Sequence, residues 1–570
     1  MYRQTKAHSK KYAMVDDLSL IYPESIRSMQ TGYWYRININ ANRILKVLKI
    51  HGQQFVSVIL ELRKAYWFSP EVQAVISPHI KYTNMASLQS TGEEKMFVDI
   101  SQAMERIQLT QTVSSLTDTA CCNPDKWQKP ITEFGQCDPE LLGTILRSDF
   151  VGDIDCGSAD WTDSCQVVDA VMDLILKQLQ ELAGKYEGLC IKEYIRQGSA
   201  REGLKVINAN EFDMLLEFHI EGLDDVIDYA SITNSAGRSI PGSCNLKMNG
   251  VRFEKLQKMF PTLTREGVFV RYRNGLYLSS KILHERIFES MVDTAINQIS
   301  LTMGKLSSFS RRLQLKRKIN PPSINVNIKV VCDGQPTKEI DVDLVPAYRL
   351  REDKTTRYEE RFLNCPIHAV CKWVTQVESA ERIVWDLKTL GYEKHILDVA
   401  RENRRKLFIL TALRIVKTYF VRRSKYAKIS GVAPPQLVTV LKSYQLKQIA
   451  FYALYYLCHR FPDIPLKGAT EALAYYLELL DITLVSKRLP HFFYGCSIVN
   501  KMLPGFPQNF GFQLRYNLFQ TIDDESLSRA RQSLCDDLIP DLGFKFGVVL
   551  NVSRSRVRDS FLSFVQSQTV

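Results

Sequence analysis

Apolar positions recur along this chain with two different periods, and the switch between them divides it. From Ser164 to Tyr186, residues Val167, Val168, Val171, Leu174, Ile175, Leu179 and Leu182 share one side of a helix that ends near Gly184. Leu283 to Ile299 reads as a second helix. Residues 210–220, Ile324–Val331 and Ile340–Val345 alternate with period two and read as strands. The Gly/Ser/Asn-rich stretch from Asp224 to Gly250 is expected to be loop. Beyond about residue 365 the strand signal fades, and helices are expected over Ser379–Leu390, Lys394–Tyr419, Pro435–His459 and Leu466–Val485. The expected architecture is a mixed-sheet α/β lobe followed by a helical lobe.

The ends of the chain are less patterned. Residues 1 to about 30 are polar and basic and read as an arm, while Asn42 to Trp67 carries helical spacing. No activity follows from residues 1–160, which are read as an N-terminal extension of unknown role. Residues 541–570 are basic and Ser-rich and are expected to be a loosely held tail.

Composition changes this picture little. The chain has 570 residues, 45% hydrophobic and 24% charged, as in ordinary globular proteins with room for several cores. Its net charge of +12 favours an anionic partner. The thirteen cysteines form no CxxC pairs and read as reduced thiols. The N-terminus lacks an apolar leader, and the run Ile449–Cys458 is too short to cross a bilayer. The expected compartment is the cytoplasm, with no membrane partner.

The chemistry-bearing stretch is Gly198-Ser199, followed by Glu211-Phe212-Asp213. In a strand Glu211 and Asp213 share a face while Phe212 and Met214 take the other. Two acids beside a Gly-Ser turn can hold divalent metal and a triphosphate. A third acid could come from the later strand, where Asp341 and Asp343 also share a face. Three carboxylates suit two Mg²⁺ (or Mn²⁺) ions roughly 4 Å apart, as metal-assisted phosphoryl-type transfer requires. Taken singly, each acid pair reads as the solvated side of an amphipathic strand. Their ordered conjunction points instead to the nucleotidyltransferase superfold shared with DNA polymerase beta.

The strings Gln197-Gly-Ser-Ala-Arg-Glu-Gly-Leu-Lys-Val206 and Asn210-Glu-Phe-Asp-Met-Leu-Leu-Glu-Phe218 closely resemble the Mab-domain family that includes cyclic GMP-AMP synthase and the cGAS-like receptors of animals. Ile340-Asp-Val-Asp-Leu-Val-Pro346, Leu413-Arg-Ile-Val-Lys417, Ser443-Tyr-Gln-Leu-Lys447 and Leu489-Pro-His-Phe-Phe493 extend the resemblance over about 165–520. It implies a bilobed fold, with a nucleotidyltransferase core over 161–362 and a helical lobe over 363–540. It also implies synthesis of a cyclic dinucleotide from ATP, GTP or other NTPs, in innate immune sensing. Glu211, Asp213 and Asp343 would be the catalytic metal ligands, the family pattern selecting Asp343 over Asp341. Gly198 and Ser199 would hold the triphosphate. Lys417 and Ser443 would bond phosphate or base, and Tyr444 would stack on a base.

Two departures limit what carries over. The stretch His395–Phe408 contains one His and no Cys, so no zinc site is expected there, nor around Cys121, Cys122 and Cys137. Val374 stands where the family often has a base-contacting Arg, so base choice does not transfer. Two basic clusters could meet the backbone of double-stranded RNA or DNA as an activator. One includes Arg311, Arg312, Lys316 and Arg317; the other includes Arg401, Arg404, Arg405 and Lys406. Rival readings are a catalytically silent Mab-type scaffold and a linear nucleotide-adding transferase. Oligomeric state is not legible from the sequence.

Overall fold

The two periods become two lobes in the computed structural model. It describes residues 96, 98–104, 127–135 and 149–568, less 157, 224, 234–238, 306–310, 321–322, 333, 351–366, 372–380, 504–505, 507–514 and 549–554. The helix expected over Asn42–Trp67, the Cys121-Cys122 pair, Cys137 and Val374 lie outside the described residues. Contacts divide the chain into Met1–Val98 and Asp99–Val570, and all that follows concerns the second unit.

Among the described residues, eleven strands form one mixed sheet. They are β1 (Leu189–Gln197), β2 (Glu211–Ile220), β3 (Ile227–Thr233), β4 (Ser239–Met248), β5 (Phe269–Tyr272) and β6 (Gly275–Leu278). Then follow β7 (Arg311–Asn320), β8 (Ser323–Cys332), β9 (Gln335–Arg349), β10 (His368–Val370) and β11 (Val384–Lys388). The main order is β1-β2-β9-β10-β11-β4-β6-β5, with β7 and β8 added on β9 and β3 on β4. β2 and β9 run parallel, and β8 and β1 flank that pair antiparallel.

The alternation in β2 sorts its side chains. Phe212, Met214, Leu216 and Phe218 are buried on one face. There Phe218 meets Phe288 at 4.8 Å and Phe212 meets Trp127 at 4.8 Å. The helix Ser158–Ala183 and the long helical run from Ser280 to Lys305 belong to the same lobe. On the other face Leu215, Ala347 and Val370 form a small core with Leu390, the first residue of the helix Leu390–Arg401. This second face therefore meets the helical lobe, built on Arg404–Ser430, Ser443–Leu454 and Ala469–Ser486.

Three expectations fail locally. Asp224–Gly250 is not loop but contains β3 and β4; its Gly, Ser and Asn residues mask a partly exposed β3 and a β4 that is buried over most of Gly242–Met248. Ser379–Leu390 is not a helix, since Val384–Lys388 is strand β11 with Trp385 fully buried. A short apolar run buried between neighbours carries no period to distinguish it from helix. At the C-terminus, Ser555–Ser567 is a helix with Val557, Phe561 and Val565 fully buried, and the Phe561 ring packs tilted against Tyr452 at 5.2 Å. The spacing i, i+4, i+8 docks what the Ser-rich composition made look loose.

Candidate functional site

The parallel register of β2 and β9 sets Glu211 opposite Asp341 and Asp213 opposite Asp343. All four carboxylates thus share one face, the one turned to the helical lobe. The pattern continues outward: β8 sets Asn327 beside Asp341 and Asn325 beside Asp343, and β7 sets Lys316 and Lys318 beside those amides. Two polar rungs cross four strands, acidic on β2 and β9, amide on β8 and basic on β7.

The rungs treat the two β9 acids differently. Lys318 donates to Asp341 at 2.8 Å and to Glu339 at 2.9 Å, and Asn327 donates to Asp341 at 2.8 Å. Among the described residues Asp343 has neutral donors only, Asn325 and Ser323 at 3.0 Å each and Asn320 at 3.5 Å. Asp341 is therefore charge-balanced, whereas Asp343 is oriented with its charge uncompensated. Asn325 and Asn327 escaped the sequence reading, although Ile324-Asn-Val-Asn-Ile328 mirrors the alternation of Ile340-Asp-Val-Asp-Leu344.

At the other end of the rung, β1 pairs Gln197 with Asp213, and the chain then turns through Gly198 with φ +70°. A Cβ at position 198 would lie 1.9 Å from Asp213 Oδ2, so glycine alone lets the turn close on this carboxylate. Burial, reinforced by Glu211 and Asp343 and opposed by Lys205, pushes the Asp213 carboxyl up to about 7. Glu211 is more open and accepts from Lys205 at 3.0 Å. Ser199 is half-buried in the short helical turn Gly198–Arg201.

The turn is fastened from several sides. Lys447 bridges Glu202 at 2.8 Å and Glu393 at 2.5 Å, all three side chains nearly excluded from water. Arg401 packs under Gly203, where a Cβ would meet its guanidinium at 2.7 Å. Gln128 donates its backbone N–H to Ala200 O, so residues 127–135 also touch the turn. Glu202, Lys447 and Glu393 were missed because ion pairs between distant segments leave no local pattern; Lys205, six residues from Glu211, was missed although it lies in the same stretch.

The remaining expected residues are distributed unevenly. Lys417 is buried beneath the turn and donates to Leu204 O at 2.9 Å; burial pushes its amine down to about 7, opposed by Glu202. Ser443 and Tyr444 open the helix Ser443–Leu454, which Lys447 ties to the turn. Tyr444 is 37% exposed, with its hydroxyl 2.8 Å from His491 Nε2. His491 Nδ1 accepts from the backbone N–H groups of Phe493 and Tyr494, so its ring proton sits on Nε2 and is donated to Tyr444 Oη.

The basic clusters are largely engaged within the fold. Arg311 is buried and makes two bonds of 2.8 Å to Asp163. Arg317 pairs with Glu289 and Asp293, Arg401 with Asp398, and Arg404 with Glu133. Arg405 donates to the carbonyls of Pro462, Leu457 and Ile464. Arg312 and Lys316 are exposed on β7, and Lys406 is half-buried. Arg311, Arg317, Arg401 and Arg405 are thus occupied within the fold, while Arg312, Lys316 and Arg404 are exposed.

An acidic ladder on adjacent parallel strands, closed by a glycine turn, places carboxylate oxygens where divalent metal and a triphosphate could be held. Residues 200–399 match the Mab-21 protein nucleotidyltransferase domain. The domain spans β2 through the helix Leu390–Arg401 and so contains Glu211, Asp213 and Asp343, while Gly198, Ser199, Lys417, Ser443 and Tyr444 lie outside it. No curated protein matches the chain. Similar solved structures include E. coli MS115-1 CdnC with ATP, 12% identical, covering 74% of this chain and 96% of that one with a TM-score of 0.36. Rhodothermus marinus CdnE, a c-UMP-AMP synthase, is 13% identical over 65% of this chain and 92% of its own, at TM-score 0.30. Elizabethkingia meningoseptica CdnE, a cyclic dinucleotide synthase, is 11% identical over 71% and 98%, at 0.33.

The donor set in the domain is all carboxylate oxygen, with Asp213 raised by burial and then by its neighbours Glu211 and Asp343, and such a set suits Mg²⁺ or Mn²⁺. Among the described residues no three His, Cys, Asp or Glu side chains converge on one ion position. Glu211 is held by Lys205 instead. No helix among them is long and apolar enough to cross a membrane.

Proposed function

We propose that the chain is a cytoplasmic nucleotidyltransferase that joins two nucleoside triphosphates, ATP and GTP first among them, into a cyclic dinucleotide, and that double-stranded nucleic acid activates it. The observation that carries this reading is the Asp213–Asp343 rung closing on Gly198. Glu211, Asp213 and Asp343 would hold two divalent ions, which supply activation of the attacking hydroxyl and neutralisation of the triphosphate. The chain's own residues do the positioning. Ser323 and Asn325 fix the Asp343 carboxylate, Lys318 keeps Asp341 out of the ligand set, and Tyr444 offers a ring held by His491.

Lys417 and Glu211 mark a resting arrangement, one bonded to Leu204 O and the other to Lys205. Activation would shift the turn over residues 198–205 and release both for substrate and metal. The same two bonds favour the second reading, a Mab-type binding protein without turnover.

The test is incubation of the full chain with ATP, GTP and Mg²⁺, with duplex RNA, duplex DNA or neither, and mass spectrometry of the products. A cyclic product lost in Asp213→Asn and Asp343→Asn but kept in Asp341→Asn is expected. A linear product identifies a nucleotide-adding transferase. Nucleotide binding without any product identifies the non-catalytic protein.

A further inference from the structure

One strongly charged groove lies apart from the acidic ladder. It occupies about 630 Å³ between the turn after β4 and the β5–β6 hairpin turn. Lys247, Arg252, Arg271 and Arg273 line it against a single acid, Glu254. That acid is bonded to Arg271 at 2.9 Å. Lys247, Arg252 and Arg273 pair with no carboxylate among the described residues. Asp228 stands opposite Lys247 across β3 and β4 and accepts from Asn249 of the groove lining at 3.4 Å, so the groove carries an excess positive charge of about two, in a space many times the ~30 Å³ of one water molecule.

Its seated guanidinium groups suit phosphate. The ring of Phe253 is covered by Arg271 at 4.8 Å, and that of Tyr272 by Arg273 at 5.3 Å. One face of each ring is taken by a guanidinium, which thereby gains a fixed seat. Arg252, Arg271 and Arg273 are exposed and Lys247 is half-buried, so the cations rise from several segments around one opening.

Strand register relates the groove to the ladder. Ala347 pairs with Val370, Val370 with Asp386, and Asp386 with Ser243. Directly paired residues share a face and a level, and β4 runs opposite to β9. Four residues on from Ser243, Lys247 therefore shares the face and level of Asp343, four residues back from Ala347. The offset is three strand spacings, roughly 15 Å.

We propose that this groove is a binding site for a ligand carrying several phosphates, separate from the metal-ligating acids and opening on the same side of the sheet. A nucleic-acid backbone and a nucleoside polyphosphate share this chemistry. The inference rests on charge and space and does not require the transfer reaction.

The test is direct binding to the full chain without turnover. Fluorescence anisotropy with a labelled duplex of about 20 base pairs, and separately with a labelled non-hydrolysable ATP analogue, is compared between the wild type and Arg252→Glu/Arg273→Glu. The exposed positions should leave the melting temperature unchanged. At about 0.1 M salt the double variant should bind at least one probe roughly tenfold more weakly. If that probe is the duplex, the log–log salt slope should also fall by about two. Loss with the duplex assigns the site to a nucleic-acid backbone, and loss with the analogue alone to a nucleotide. Unchanged binding of both probes, or no binding of either by the wild type, overturns the proposal. Absence of any cyclic product from the wild type, with phosphate binding intact, would count against the transfer reading and leave this one standing.

Discussion

Gly198 and Asp213 are in mutual van der Waals contact such that any side chain at position 198 would occupy the space of the Asp213 carboxylate: an added Cβ falls 1.9 Å from Oδ2. The turn also requires φ +70°, which L side chains resist. Gly198→Ala should therefore reopen the turn, costing about 1–3 kcal/mol of stability and reducing triphosphate binding by roughly tenfold or more. Urea denaturation and nucleotide titration check both. An alanine variant that binds nucleotide like wild type would remove the turn from the site.

Asp341 and Asp343 differ in what they face, and their amide variants should differ accordingly. Asp343→Asn should lower transfer by about 100-fold or more. Asp341→Asn, which removes only the partner of Lys318 and Asn327, should stay within about tenfold of wild type. Single-turnover assays at saturating Mg²⁺ distinguish the two. Equal losses would mean that the β9 acid has been assigned wrongly.

Lys447 separates two buried carboxylates, Glu202 and Glu393. Replacing it with Met leaves both uncompensated, at a cost of about 3–5 kcal/mol. Lys447→Met/Glu202→Gln should recover part of that loss, because only one buried charge then remains. Chemical denaturation of the single and double variants measures the difference.

His491 supplies a pH dependence. Burial pushes its imidazole down to about 3, against the opposing pull of Glu393 and Asp386. Over roughly pH 6.5 to 3 the unfolded chain takes up a proton that the folded chain refuses, so stability is lost as pH falls through that window. Protonation would also set a hydrogen on Nδ1 against the N–H groups of Phe493 and Tyr494. His491→Asn should flatten the slope of unfolding free energy against pH in this range. Parallel slopes for variant and wild type would show that another group titrates there.

What the sequence determined by itself was whatever a local period encodes. The alternation in Glu211–Phe218 and Ile340–Val345 assigned the acids to one strand face, and the 3.6 period drew the helices of both lobes. β11 escaped because Ile383-Val-Trp385 is buried without alternation, and β3–β4 because polar residues line them. Tertiary structure alone decided which distant residues meet. The parallel pairing of β2 with β9 turned two acid pairs into a ladder, and β7–β8 brought Lys318 to Asp341 and Asn325 to Asp343. The same packing directed Arg311, Arg317 and Arg405 inward to carboxylates and carbonyls. A strand's period fixes the face of each side chain, but only the pairing of strands far apart in sequence fixes which charge lies opposite it.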